Sequence, residues 1–239
     1  MLHLLAVPLL LLLAIVATRG PSAARATATE RLTHALASRG APWVLGAITT
    51  AFYWWLSGEW TPYARVHDEA SYLLQAQTFA RFRWANPSPP IPAFFEQYHV
   101  FVEPAFFSKY PPGHGLLMVP GIWLGLPALV PMLLHGVAGA LLFMLARRLG
   151  NPWVALLTWA LWLGVGANVQ FRPTYFSEAS SSALWLAGWW ALLEWRATRL
   201  RRWLVALAIC TGWMAITRPL TAAAYAVPVA VVALHDIVR

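Results

Sequence analysis

The sequence predicts an all-α, polytopic membrane protein, a helical bundle with one long extracytoplasmic loop. Three observations point there. Hydrophobic residues make up 59 % of the 239 and charged residues 11 %, where a soluble domain carries about 25 % charged. Mean hydropathy is +0.57, and the apolar residues collect into runs approaching the roughly 20 residues that cross a bilayer. Ten of the 17 basic residues sit in three gaps between those runs. The net charge of +8 therefore reports membrane topology rather than a nucleic-acid partner. A single cysteine, Cys210, excludes an internal disulfide and a cysteine metal cluster.

The apolar runs are 2–18, 42–57, 113–129, 130–147, 152–169, 179–195, 203–217 and 219–235. The first has no basic n-region and no clean cleavage site, so it reads as a span rather than a signal peptide. Residues 19–41 complete an N-terminal segment of 1–41 as a polar linker, with Arg19, Arg25, Arg31 and Arg39. The second basic gap holds Arg147 and Arg148, the third Arg196, Arg199, Arg201 and Arg202. With all three gaps cytoplasmic, 42–57 runs outward and 58–112 becomes the outer loop. Run 130–147 then returns, 152–169 goes out, 179–195 returns, and 203–217 with 219–235 forms a final hairpin. This order leaves no crossing for 113–129, which Pro120 and Pro127 interrupt. That run reads as a re-entrant or interfacial helix, and the chain has seven spans, with 42–239 as one transmembrane module.

Polar chemistry concentrates outside. Five of the nine acids (Glu59, Asp68, Glu69, Glu96 and Glu103) lie in the loop 58–112, with His67, His99 and the only lysine, Lys109. Arg172, Glu178 and Arg218 stand at outer ends of later runs. Ionisable groups at a membrane boundary usually face a cavity or a partner. Carboxylates outside, with cations beside the bilayer, suggest a site for an anionic headgroup. Trp60 and Trp84 are candidates for stacking on a sugar ring. Plainer readings compete: Asp68 as a helix cap, Glu69 answering the helix dipole, Lys109 and Arg218 as snorkelling anchors.

The order of five motifs resembles a known family. A span is followed by HDEASYLLQAQ, then FSKYPPGHGLL, ARRLG, FRPTYFSEASSSALW and ITRPLTA. This resembles the GT-C glycosyltransferases, in particular the bacterial relatives of protein O-mannosyltransferases and of the lipid A aminoarabinose transferase. The resemblance covers 42–239. It implies transfer of a sugar from a polyprenyl-phosphate donor to a hydroxyl on a lipid, glycan or protein, outside the bacterial inner membrane. It assigns catalysis to Asp68 with Glu69, and donor-phosphate binding to Lys109 and Arg218, with Arg172 as a third cation. A carboxylate can accept the acceptor's proton, and cations stabilise the departing phosphate.

Two departures stand out. Tyr110 is inserted between Lys109 and the prolines, and Ser108 replaces the acid that helps the aminoarabinose transferases hold a divalent metal. A metal here would need Asp68 with Glu103 and His99. The chain is also shorter than GT-C enzymes generally are, so the fold is expected to be incomplete at its C-terminus, leaving room for a second chain. A non-catalytic polyprenyl-phosphate binding or assembly subunit is the competing class. A small transporter would require polar residues at mid-membrane depth, and the runs hold them at their ends.

Overall fold

The computed structural model describes residues 23–59, 61–165 and 174–238. The apolar run 2–18, Trp60 and Arg172 lie outside them. The chain is mostly helical, as its composition predicts. Among the described residues the α-helices are α1 (Ala23–Ala37), α2 (Ala41–Ser57), α3 (His67–Ala80), α4 (Gly113–Trp123), α5 (Leu129–Leu149), α6 (Pro152–Gly164), α7 (Glu178–Thr198), α8 (Arg201–Ala215) and α9 (Pro219–Val238). Helix α5 and the Pro219–Asp236 part of α9 are long and apolar enough to cross a membrane, and α6 is a shorter apolar helix.

Local chemistry sets the helix ends. Asn151 caps α6, its side chain accepting from the backbone N–H groups of Trp153 and Val154 at 3.0 Å. Pro152 follows at the first turn, where its missing donor costs nothing. Gly58, in the left-handed region at φ 72°, closes α2. Helix α4 has 11 residues. At about 1.5 Å per residue it is too short for a hydrocarbon core about 30 Å thick, and a turn at Gly125 leads from it into α5.

The loop 58–112 adds a small sheet to an otherwise helical chain. Three short strands, β1 (Asn86–Pro87), β2 (Val100–Phe101) and β3 (Ala105–Ser108), form an antiparallel sheet in the order β1-β3-β2. Asn86 pairs with Phe106, and Val100 with Ser108. The prolines at 87, 89, 90, 92 and 104 withhold donors a helix needs, while Val and Phe favour extended chain.

Helix α5 is central, packing on α2, α4, α6 and α7. Its seam with α2 consists of small residues. A Cβ on Gly46 would stand 2.8 Å from the Gly136 carbonyl oxygen, and one on Gly136 2.1 Å from Thr50 Oγ1. Nearby, Trp159 Nε1 of α6 donates to Thr49 Oγ1 at 3.0 Å. A second core, of Leu192, Trp195, Leu207, Met214 and Tyr225, joins α7, α8 and α9.

The helices alternate in direction, so charge separates by end. At one end Arg147 donates to the carbonyls of Leu36 and Ser38, Arg148 pairs with Glu194 and Arg196 with Asp236 at 2.6 Å. The opposite end gathers α3, the sheet, α4, the start of α7, the end of α8 and the start of α9.

Candidate functional site

The site begins with one stripe of α3. Asp68, Ser71, Tyr72 and Gln75 recur at helical spacing, and each reaches a different partner. Asp68 Oδ1 lies 2.8 Å from His99 Nε2. Ser71 Oγ donates to the His99 carbonyl at 2.6 Å and lies 2.8 Å from Ser108 Oγ. Tyr72 Oη meets Ser177 Oγ at 2.9 Å, and Gln75 Nε2 donates to the Tyr110 carbonyl at 2.7 Å. The stripe thus holds the loop 99–110 on one side and the start of α7 on the other. Asp68 is no helix cap: Val66 occupies that position without a side-chain bond.

Glu69 turns the opposite way. It is 1 % exposed, and its carboxylate accepts from the Arg65 backbone N–H at 2.5 Å, much as the third-position acid of a capping box does. The fold gives it a structural role beside Asp68. The family-based pairing of these two acids in catalysis finds no geometric support, because neighbouring residues of a helix point about 100° apart.

Strand alternation decides the next three residues. Side chains of extended chain alternate between faces, so Ser108 and Tyr110 face α3 while Lys109 faces away. Lys109 Nζ donates to the Tyr98 carbonyl at 2.9 Å and lies 5.0 Å from the Phe101 ring centroid. It lines a cavity of about 480 Å³ with Glu96, Tyr98, Phe101 and Glu103. Arg218 lines two other cavities. The smaller, of about 240 Å³, it shares with Tyr72, Tyr110, Pro111 and Thr217. Lys109 and Arg218, expected to clamp one phosphate, thus line separate cavities. The inserted Tyr110 takes the inward place.

Tyr110 stacks on Tyr72, with centroids 4.4 Å apart and planes 15° from parallel. Its hydroxyl lies 2.9 Å from His99 Nδ1. Burial pushes the Tyr110 phenol well above its ordinary range, and the hydrogen bond and charge of Asp68 add to the rise. Tyr72 is raised by burial too, against the opposing pull of Ser177 and Arg218. Both phenols stay protonated at neutral pH.

Arg218 NH1 bonds Glu178 Oε1 at 2.5 Å. This pair lines the second cavity, of about 370 Å³, whose walls include Leu142, Trp162, Trp185 and Leu186. Two glycines let the pieces meet. Gly113 donates its N–H to the Ile216 carbonyl at 2.7 Å, and a Cβ there would be 2.3 Å from Thr217 Oγ1. A Cβ on Gly115 would be 2.5 Å from Gln75 Oε1. Between them His114, fully buried, joins Ser180 Oγ and the Tyr175 carbonyl, both at 2.9 Å. A carbonyl only accepts, so Nε2 carries the proton.

The three residues proposed as metal ligands do not assemble. Asp68 and His99 bond each other, whereas Glu103 lines the Lys109 cavity. Among the described residues no group of three His, Cys, Asp or Glu is placed to hold a metal ion. Two donors fall short of the six or more oxygens that calcium takes or the four ligands of zinc, so the fit is poor and no step below runs through a metal. Of the residues nominated from sequence, Asp68, His99 and Arg218 come into one region. Sequence reasoning passed over Tyr72, Tyr110 and the Glu178 pairing, although the stripe from Asp68 to Gln75 pointed to Tyr72.

Comparison of the chain with protein-family models, with curated proteins and with solved structures finds no match.

Proposed function

We propose that this chain is an integral-membrane glycosyltransferase of the GT-C type, moving a sugar from a polyprenyl-phosphate donor to an acceptor hydroxyl outside the bacterial inner membrane. One observation carries the reading: the cavity with the Arg218–Glu178 pair at its polar end and Leu142, Trp162, Trp185 and Leu186 along its walls. A phosphate on a long hydrocarbon chain needs that combination of a fixed cation and an apolar wall running into the bilayer. Arg218 gives Glu178 one of its five donors and keeps others for an anion.

The membrane reading draws on more than the two long apolar helices. Val205, Ile209, Val227, Val231 and Leu234 are exposed along α8 and α9, and faces of that kind belong in lipid or against a partner. With the arginine-rich end cytoplasmic, the Asp68 end lies outside. The polyprenyl-phosphate leaving group departs beside Arg218, where negative charge grows. The acceptor hydroxyl, on a lipid, glycan or protein, gives its proton to a base linked to Asp68.

The test is sugar transfer in membranes or proteoliposomes holding the intact chain, with labelled polyprenyl-phosphate sugars as donors. Asp68→Asn should lower transfer by about 10²–10⁴, the range of general-base contributions, while donor binding persists. A second reading, a non-catalytic polyprenyl-phosphate binding subunit completed by another chain, has one observation in its favour. Among the described residues lining the Arg218 cavities, Asp68 is not one. On that reading the donor binds and Asp68→Asn changes nothing.

A further inference from the structure

Asp68 and the Arg218 cavities are separated by other residues, and the nature of the separation is informative. The cavity of about 240 Å³ has Arg218 on one wall and Tyr110 on another. The Tyr110 hydroxyl meets His99 and stands within hydrogen-bond reach of Asp68, and His99 and Asp68 bond each other. Hydroxyl and imidazole are 2.9 Å apart, and imidazole and carboxylate 2.8 Å. From these contacts we propose that Tyr110 and His99 form a proton relay, which carries the acceptor's proton from the Arg218 cavity to the Asp68 side. This deepens the transferase reading and rests on it.

The hydrogen positions follow from the acceptors. An ionised Asp68 only accepts, so His99 Nε2 carries the ring proton. Nδ1 of the neutral ring then accepts from the Tyr110 hydroxyl. The Tyr110 oxygen keeps a lone pair, and with Tyr110 on the cavity wall an acceptor hydroxyl bound there can donate to it. The phenol itself is a poor final base, since burial and Asp68 hold its proton on. It is suited to passing a proton along.

The step balances as follows. The acceptor oxygen forms a bond to the sugar C1, and the bond from C1 to the phosphate oxygen breaks. The electron pair of that bond leaves on the phosphate, beside Arg218. The acceptor's proton moves to Tyr110 Oη as the Tyr110 proton moves to His99 Nδ1. The resulting imidazolium sits against the Asp68 carboxylate. His99 and Asp68 side chains are 34 % and 38 % exposed, so the extra proton passes on to water and the relay resets.

Asp68 and Tyr72 face the relay from α3, Tyr98 lies next to His99 with centroids 6.5 Å apart, and Glu178 of α7 acts on Tyr110. Lys109 reaches His99 only through backbone, its N–H donating to the His99 carbonyl at 3.0 Å. Ser71 holds that same carbonyl, so His99 is fixed at its backbone as well as at both ring nitrogens.

The experiment has two arms. In the first, ¹⁵N-histidine NMR of the whole protein in detergent reads the His99 tautomer, with His99→Gln for assignment. The expected ring is protonated at Nε2 and bare at Nδ1, and the Nδ1 signal shifts in Tyr110→Phe, which removes one oxygen and keeps both ring stacks. A proton resident on Nδ1 overturns the relay. In the second arm, transfer from a labelled polyprenyl-phosphate sugar is followed. Tyr110→Phe and His99→Gln should each slow transfer at least about 100-fold with unchanged binding of polyprenyl phosphate. Transfer by Tyr110→Phe at the parental rate refutes the relay while the transferase reading survives. A parent that binds polyprenyl phosphate and transfers nothing refutes the transferase, and the NMR arm still decides the hydrogen-bond chain.

Discussion

Two arginine–glutamate pairs stand at opposite ends of the same bundle and do different work. Arg148 and Glu194 join α5 to α7, with Arg148 also donating to the Leu193 carbonyl and lying over the Trp190 ring. Their side chains are 30 % and 20 % exposed. Arg218, just before α9, and Glu178 of α7 are 39 % and 43 % exposed; both line one cavity, and Arg218 lines a second. The first pair spends its donors inside the fold. The second keeps donors available. An ion pair therefore marks a functional site only when something beside it remains unfilled.

The largest expected effect tests which end is which. In a Cys210→Ser background, a cysteine at Ala85 should react fully with an impermeant thiol reagent added outside cells, and one at Thr198 not at all. Labelling at Thr198 would invert the orientation and move the Arg218 cavities to the wrong side. Next in size is the contrast between the pairs. Arg218→Ala should raise the dissociation constant for polyprenyl phosphate at least about tenfold, since a charged hydrogen bond contributes about 1.5–3 kcal/mol. Arg148→Ala should leave that constant unchanged and lower the detergent unfolding midpoint instead. Equal effects of the two on binding would erase the distinction drawn here.

A smaller effect sharpens the comparison from within the polar end. Gly113→Ala places a methyl against Thr217 and the Ile216 carbonyl, next to Arg218. It should weaken donor binding and cost about 1–3 kcal/mol of stability, as overpacking does. Differential scanning in detergent with a binding titration would separate the two. The smallest effect concerns the lysine. Lys109→Ala should change polyprenyl phosphate binding less than about threefold, because its ammonium faces Tyr98 and Phe101. A tenfold loss would restore the two-cation clamp read from sequence.

The helices were legible because apolar runs and arginine gaps impose them. The loop sheet was not. Strand pairing of Val100 with Ser108 depends on a register that composition leaves open. That register sends Lys109 outward and Tyr110 inward, so the lysine of the motif and Arg218 line separate cavities. Asp68 was legible as an unusual acid in a greasy chain. Its partner was not, since His99 lies 31 positions on, and the approach depends on Ser71 and Ser108 holding the loop. Glu69 is the neighbour of Asp68 in sequence, and helix geometry turns it another way.

The glycine seam between α2 and α5 has a practical consequence. With the Gly46 oxygen 2.8 Å from a Cβ built on Gly136, the two backbones meet by shape, without large side chains. Between lipid-facing helices, association draws on van der Waals fit rather than on escape from water. Exchanging lipid for a mild detergent leaves that fit untouched, because neither solvent competes for a gap too narrow to enter. The seam is thus indifferent to its surroundings and intolerant of mutation. A single added methyl group would do what a change of solvent does not.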